Sequence, residues 1–420
     1  MEGGNTLCGR HQALVRDFEL SSVKLLISAL SCNASLGSEA SVGFNYTAAL
    51  AQRHEVTVLA SPPSQPPPEA AFLPCHAGPC SFNEVGPVPL LKFETRQWIL
   101  MRKLKRLDFD LIHRLTPSGI HAPTWTASLG KPFLIGPLIA AKNPPAAYEA
   151  YLNRPVSRPT QPHWHPRRIA ARLCREIVNH AARRGAYLQR ASRILVGSRA
   201  TLDQIPEALH AKCRLITYSG IEHEVFVPPT ERHANRPLRL LFTGRLVPYK
   251  GVELLLRALA LAIQRCEVKL DFCGGGDAGY KSYLMQLVRE LGLGKSVKFL
   301  PPCPRGELIP LYQQADVFCF PTICDTYGIA LLEAMSCGCA VLVSDVAAAG
   351  EIVSSRNGLK VKLGNPDQFV EEYAAAITEL AGNRSRAWSL GEAARQYVLQ
   401  NHDWTTIGRH LLELYEEALC

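Results

Sequence analysis

Two short segments in the second half of the chain carry the residue types that bind a phosphorylated ligand. In Phe242-Thr243-Gly244-Arg245-Leu246-Val247-Pro248-Tyr249-Lys250-Gly251 an apolar run ends and a helix is expected over 250–264. Arg245 and Lys250 then stand on the loop at the carboxyl end of a strand, beside a helix N-terminus, where two cations suit a diphosphate. In Pro321-Thr322-Ile323-Cys324-Asp325-Thr326-Tyr327-Gly328-Ile329-Ala330-Leu331-Leu332-Glu333-Ala334-Met335 a strand ends at Phe320, a turn carries Asp325, and a helix starts near Tyr327 or Gly328. Glu333 falls inside that helix in apolar company, where a carboxylate needs hydrogen-bonding partners. Ribose hydroxyls would serve. The free amides of Thr326, Tyr327 and Gly328 suit phosphate or sugar oxygens. Taken singly, each segment has a plainer reading as solvated loop cations or a helix-surface acid; taken together they favour a ligand.

Other motif matches are weaker. Gly274-Gly275-Gly276-Asp277-Ala278-Gly279 fits a dinucleotide fingerprint, but the next strand, Val297-Lys298-Phe299-Leu300-Pro301, lacks the acid that would hold a ribose. A glycine-rich turn near a ligand is the better account. Asp108-Phe109-Asp110 reads as a helix-to-strand turn rather than a metal motif. His163-Trp164-His165 and the Cys75/Cys80 pair lack partner ligands at metal spacing, so no structural zinc is expected.

These loops need elements to position them. The chain has 420 residues, 47% hydrophobic and 20% charged, which implies two or three domains with their own cores. Residues 1–20 read as a flexible leader. Short apolar runs then alternate with amphipathic helices, the pattern of parallel α/β sheets. Strands are expected near 23–29, 55–60, 111–113, 132–135, 193–196 and 214–217, with helices over 41–53, 95–107 and 167–190. A break at Val227-Pro228-Pro229 opens a second series, with strands near 238–243, 268–273, 296–300, 316–320 and 340–343. The sequence thus predicts an α/β protein of two doubly wound, Rossmann-like domains, 21–227 and 228–402, facing a central cleft. The helix 403–420 is expected to pack back on the first domain. Ligands of such sheets bind at the carboxyl ends of the strands.

Charge is uneven. Residues 1–227 hold 26 Lys and Arg against 16 Asp and Glu, and residues 228–420 hold 20 against 21, which together give the net +9. The helix around Trp98-Ile99-Leu100-Met101-Arg102-Lys103-Leu104-Lys105-Arg106-Leu107 mixes apolar and cationic residues. It suits reversible docking on anionic lipid, or else packs its apolar stripe on the sheet. The fourteen Cys show no repeated spacing, and a reducing cytoplasmic location is expected, without disulfides.

At this point the sequence resembles a family. Gly244-Arg245-x4-Lys250-Gly251, followed by Asp325-x7-Glu333 and Ala334-Met335-x-x-Gly338, is similar to glycosyltransferase family 4: retaining, nucleotide-sugar-dependent enzymes of the GT-B architecture. The likeness is specific over 238–380 and looser over 23–140. Tyr218-Ser219-Gly220-Ile221-Glu222 through Phe226 resembles the family's interdomain segment, with Ser219 in place of Asn. The resemblance implies that Arg245 and Lys250 hold the donor diphosphate, that Asp325 contacts the transferred sugar, and that Glu333 contacts the ribose. It also implies donor contacts from Gly37, Gly244, Gly276, Lys298, Thr326, Tyr327, Gly328 and Ile329.

Two departures matter. Asp325 stands where the family usually has Glu. Asp110-Leu111-Ile112-His113-Arg114-Leu115-Thr116 resembles a strand ending in His-x-His, but the second His is Leu115; His113, Thr116 and His121 are the candidates to compensate. The first βα turn, 33–43, resembles the glycine-rich loop that faces donor and acceptor, in the form found in bacterial surface-polysaccharide enzymes. Ser38, Glu39 and Thr116 are the expected acceptor contacts, with a helix-stabilising role as the plain alternative for Glu39.

The resemblance therefore implies a retaining hexosyltransferase acting from a nucleoside-diphosphate sugar on a saccharide or lipid-linked acceptor. Neither cofactor, essential metal nor nucleic acid is expected, and an anionic membrane surface is a possible partner. An epimerase of the same twin-domain shape and a non-catalytic saccharide- or lipid-binding relative remain open. Acceptor-free turnover would single out the first, and nucleotide binding without turnover the second.

Overall fold

The computed structural model describes residues 22–34, 39–61, 64–75, 87–154, 172–174, 176–178, 180, 185–232 and 236–419. Seven parallel strands form the first sheet: β1 (Lys24–Ala29), β2 (Glu55–Ala60), β3 (Ala71–Pro74), β4 (Leu111–Thr116), β5 (Phe133–Leu138), β6 (Arg193–Val196) and β7 (Cys213–Leu215), in the order β3-β2-β1-β4-β5-β6-β7. Six more form the second: β8 (Leu238–Thr243), β9 (Val268–Cys273), β10 (Val297–Leu300), β11 (Val317–Phe320), β12 (Ala340–Ser344) and β13 (Leu359–Val361), in the order β10-β9-β8-β11-β12-β13. Each sheet reverses direction of growth once, between β1 and β4 and between β8 and β11. The loops that follow those strands open the crevice where such sheets take ligands.

The strand assignments follow from burial. Every residue of β4, β5, β11 and β12 is buried, as central parallel strands covered on both faces require. The sequence reading omitted two edge strands. β3 is a four-residue run, Ala71-Phe72-Leu73-Pro74, that ends in proline and is mostly exposed, and β13 is three residues long with a central lysine, so neither has the length of an identifiable buried strand. The turn at 108–110 is structural: Asp110 accepts the Lys24 amide at 2.8 Å and Asp108 pairs with the Lys24 ammonium at 3.0 Å. The helix expected over 95–107 spans Pro87–Leu104. Its Leu90, Phe93, Gln97 and Leu104 are buried, whereas Trp98 and Ile99 are 57% and 53% exposed.

A continuous apolar core joins the two domains, running from β1, β2 and β4 through Ile216–Phe226 to Phe318, Leu331 and Val341. The last helix, Trp404–Leu419, lies on the first domain. Trp404 meets Tyr46 edge-on at 5.7 Å, and Glu417 pairs with Arg214 at 3.1 Å. The domains are also pinned by polar contacts. Arg154 grips Glu253 through two bonds of 2.6 and 2.7 Å. Glu351 accepts the amides of Arg199 and Ala200, both at 2.9 Å, at the start of the helix Arg199–Leu202.

Candidate functional site

The loops after β8, β9, β10 and β11 meet the interdomain segment around a cavity of about 860 Å³. Gly244, Arg245, Gly275, Gly276, Pro302, Cys303, Arg305, Ile329, Ala330 and Glu333 line it on one side, and Ser41, Ser219 and Gly220 on the other. The loops pack too closely for side chains. A Cβ on Gly274 would lie 1.9 Å from the Gly244 carbonyl oxygen, and Gly274 has φ +155. The glycine run is therefore a backbone crossing, and Asp277 caps the next helix by accepting the Tyr280 amide at 3.0 Å.

Lys250 ends a short 3-10 turn, Pro248–Lys250, and the helix itself runs Val252–Ala262. Its ammonium donates to the Asp325 carboxylate and lies 5.3 Å from the Phe320 ring centroid. Arg245 donates to the Tyr249 hydroxyl, and its guanidinium sits 5.7 Å from that ring. Both cations therefore start from protein partners, and the loops after β8 and β11 are tied together by the Lys250–Asp325 pair. Asp325 also accepts the Thr326 amide at 2.8 Å. That amide is not free for a ligand, because a short acid at this turn folds back on its own backbone.

The helix carrying Glu333 begins at Ile329, with Gly328 as its cap at φ +95. Tyr327 is buried, its ring 4.9 Å from that of Tyr218 in the interdomain segment. It serves as a domain contact, and Ile329 and Ala330 bring the helix N-terminus to the cavity. Glu333 is buried at the cavity wall. Its Oε1 accepts from Arg305 Nε at 2.6 Å and its Oε2 from the Tyr312 hydroxyl at 2.9 Å. Burial pushes its carboxyl above the usual range, opposed by Arg305 and Tyr312. The partners that the sequence reading sought in a ligand are thus supplied within the protein, although a carboxylate has lone pairs left for ligand hydroxyls.

Arg305 is the residue that the sequence reading missed. It opens the 3-10 turn Arg305–Leu308 and also donates to Glu222 at 2.7 Å, stacking over Phe226 at 4.7 Å. The signal available was an apolar-flanked Glu333 that demanded a cation, but nothing in linear spacing links positions 305 and 333. Lys298 lies on edge strand β10, exposed and in register with Asp271. The cavity meets Pro302 and Cys303 beyond it instead.

In the first domain the assignments change. His113 is fully buried, its Nδ1 bonded to the Tyr415 hydroxyl and its Nε2 2.6 Å from the Gly136 carbonyl oxygen. Burial lowers its pKa to about 4. Mid-strand on β4, it points under the sheet toward the last helix and not into the cleft, and Leu115, two residues on, shares that face and core. Thr116 is also buried, its hydroxyl 3.3 Å from the Ser31 carbonyl oxygen, so it joins strand ends and offers no exposed contact. His121 is exposed and does not line the cavity.

Glu39 heads the helix Glu39–Ala51 and accepts the Ser118 amide at 3.1 Å through Oε1. Its buried Oε2 has no hydrogen-bond partner among the described residues, and burial raises its pKa. Gly37, Ser38, His163, His165 and Cys80 lie outside the described residues. Among the described residues no group of three or more His, Cys, Asp or Glu is placed to hold a metal.

The family model for glycosyl transferases group 1 matches residues 228–397, the segment that supplies Arg245, Lys250, Asp325, Arg305 and Glu333. That segment is therefore similar to a group 1 glycosyl transferase domain. Among curated proteins the chain is similar to a D-inositol 3-phosphate glycosyltransferase of Corynebacterium urealyticum, 29% identical over 53% of this chain and 56% of that one. It is also similar to an uncharacterized glycosyltransferase of Methanocaldococcus jannaschii, 32% identical over 43% of this chain and 45% of that one. The chain thus spans about half the length of the curated relatives it matches.

Solved structures extend the likeness to both domains. Sucrose-phosphate synthase from Thermosynechococcus elongatus superposes with a TM-score of 0.67 at 20% identity, over 94% of this chain and 98% of that one. Anabaena HepE in complex with UDP gives 0.63 at 17%, over 94% and 99%. The two-domain frame around the matched segment is the GT-B fold. Among the described residues no helix is long and apolar enough to cross a membrane.

Proposed function

We propose that the protein is a retaining glycosyltransferase that moves a hexose-type unit from a nucleoside-diphosphate sugar to a saccharide or lipid-linked acceptor. The observation that carries this reading is one cavity lined by both a buried carboxylate, Glu333, and a cation, Arg245, with the N-terminus of the helix Ile329–Ser336 between them. Glu333 would accept the ribose hydroxyls. Arg245, Lys250 and the amides of Ile329 and Ala330 would take up charge as the diphosphate leaves, each such donor contributing about 2.7–4 kcal/mol to the transition state. Asp325, held by Lys250, would orient the sugar. The complexes of HepE with UDP and with UDP-glucose support a nucleotide-sugar donor.

In this scheme the acceptor enters from the first domain, along the side of the cavity lined by Ser41, Ser219 and Gly220. The acceptor attacks the anomeric carbon on the face from which the diphosphate departs, and the leaving phosphate accepts the acceptor's proton. The two cations neutralise the diphosphate, so the scheme calls for no metal ion. A surface-polysaccharide or glycolipid pathway at the inner face of a membrane fits the exposed Trp98 and Ile99 beside Lys103, Lys105 and Arg106.

A thermal-shift panel of UDP, GDP, ADP and their common sugars, on wild type and Glu333→Ala, tests the donor site. A nucleotide at 100 times its dissociation constant adds roughly 2.7 kcal/mol of stability. Stabilisation of wild type by one nucleotide and loss in the variant is the expected result. No stabilisation by any of them overturns the donor reading, and conversion of the sugar nucleotide without acceptor makes the protein an epimerase.

A further inference from the structure

Glu333 is the buried acid of the cavity wall, and a buried carboxylate without a counter-charge takes up a proton. Among the described residues the cation bonded to it is Arg305. Arg305 reaches it from the 3-10 turn that follows β10, Tyr312 reaches it from the helix Ile309–Gln314, Glu222 stands behind Arg305 on the interdomain segment, and the Cys337 thiol lies at the end of its own helix. Of these, the Tyr312 hydroxyl is neutral, and it is also bonded to Thr243 at 2.8 Å. Glu222 adds a second negative charge. The charge balance of this corner of the cavity therefore rests on a single guanidinium shared by two carboxylates, bonded to one through Nε at 2.6 Å and to the other through Nη2 at 2.7 Å.

The sharing has a geometric consequence. The guanidinium is planar, so its two bonds fix the plane in which Glu333 and Glu222 lie, and Phe226 covers one face of that plane at 4.7 Å. Arg305 also lines the cavity next to Glu333. We infer that Arg305 is a positioning residue of the donor site, which favours the ionised form of Glu333 and aims it at the nucleoside while anchoring it to the interdomain segment through Glu222. This rests on the donor reading given above and adds a residue to it. A lysine at 305 keeps the charge but not the fixed plane. A glutamine removes the charge and ends where the arginine Nε stands, short of Glu222.

The two parts of the inference separate experimentally. The first measurement needs no nucleotide. Melting of the full chain is followed from pH 6 to pH 8.5 for wild type, Arg305→Gln, Glu333→Gln and the double variant. Without its cation, Glu333 must ionise unpaired as pH rises. Arg305→Gln should therefore lose more melting temperature, relative to wild type, at pH 8.5 than at pH 6, and Glu333→Gln should abolish that added loss in the double variant. Equal losses at both pH values overturn the assignment, as does a double variant that keeps the pH dependence.

The second measurement is the dissociation constant of whichever of UDP, GDP or ADP stabilises wild type, across the same range. Arg305→Gln should bind about tenfold more weakly at pH 6, the size expected when one hydrogen bond to a charged group is lost, and should approach wild type as Glu333 ionises. Arg305→Lys should keep the wild-type pH profile. Binding by Arg305→Gln equal to wild type at every pH refutes the positioning role. If wild type binds none of the three, the donor reading fails, and the melting series still decides whether Arg305 charges Glu333.

Discussion

Lys250 and Asp325 form a side-chain ion pair across the cleft end of the second sheet, joining the loop after β8 to the loop after β11. Each is mostly shielded from water, with 16% of its side chain exposed. Under the proposed function, the pair sets the starting geometry for a donor. A diphosphate that draws Lys250 toward itself must take it from Asp325, which frees that carboxylate for the sugar.

Lys250→Ala should therefore do more than remove a positive charge. Donor turnover is expected to fall about 10²–10³-fold, the usual cost of one donor to a developing anion. Asp325→Asn should leave affinity for the bare nucleoside diphosphate near wild type and weaken the nucleotide sugar. Calorimetry with both ligands checks this, and an equal loss for the two would remove Asp325 from the sugar site.

The Arg154–Glu253 contact should act on stability. Glu253 is 2% exposed and is also held by Arg257 at 2.8 Å. Arg154→Ala should cost about 1–3 kcal/mol in urea unfolding, the range for a lost bond to a charged group. Removing both arginines should cost more than the sum, because the carboxylate is then buried unpaired. A cost below about 0.5 kcal/mol for Arg154→Ala would mean that the contact behaves as a screened surface pair.

His113 and His402 give the fold a pH dependence of known sign. Burial holds both near a pKa of about 4, against the ordinary 6.5. The unfolded chain thus binds protons that the folded chain refuses between pH 6.5 and 4. Their contribution is complete above pH 6.5 and is lost as pH falls through that window, at up to about 1.4 kcal/mol per pH unit for each histidine. His113→Gln should flatten the wild-type curve between pH 6.5 and 4 in a series of thermal melts while leaving the pH dependence of turnover unchanged. A shift in the turnover profile would return His113 to the chemistry.

Trp98 and Ile99 provide the test of membrane contact. Flotation with vesicles rich in anionic lipid should carry the protein at low salt, and Trp98→Ser with Ile99→Ser should reduce the floated fraction severalfold. The binding should weaken as salt rises, because the cations beside these residues act through a screened field. Absence of binding to anionic vesicles at low salt refutes the docking.

The amino-acid sequence determined the two α/β series and the positions of Arg245, Lys250 and Asp325 on turns that follow strands. All of these follow from short-range pattern: apolar runs, glycines, and a helix start immediately after a strand. Edge strands β3 and β13 escaped because they are only four and three residues long, β3 ending in proline and β13 broken by a lysine. Only the tertiary structure decided which way β4 faces. Alternation fixes that His113 and Arg114 point to opposite sides, but which side meets the cleft depends on where the last helix packs, three hundred residues away in sequence. It likewise decided that Glu333 is paired by Arg305. A buried charge announces a need for a partner, and the partner's identity is settled by which side chains the packed loops bring within reach.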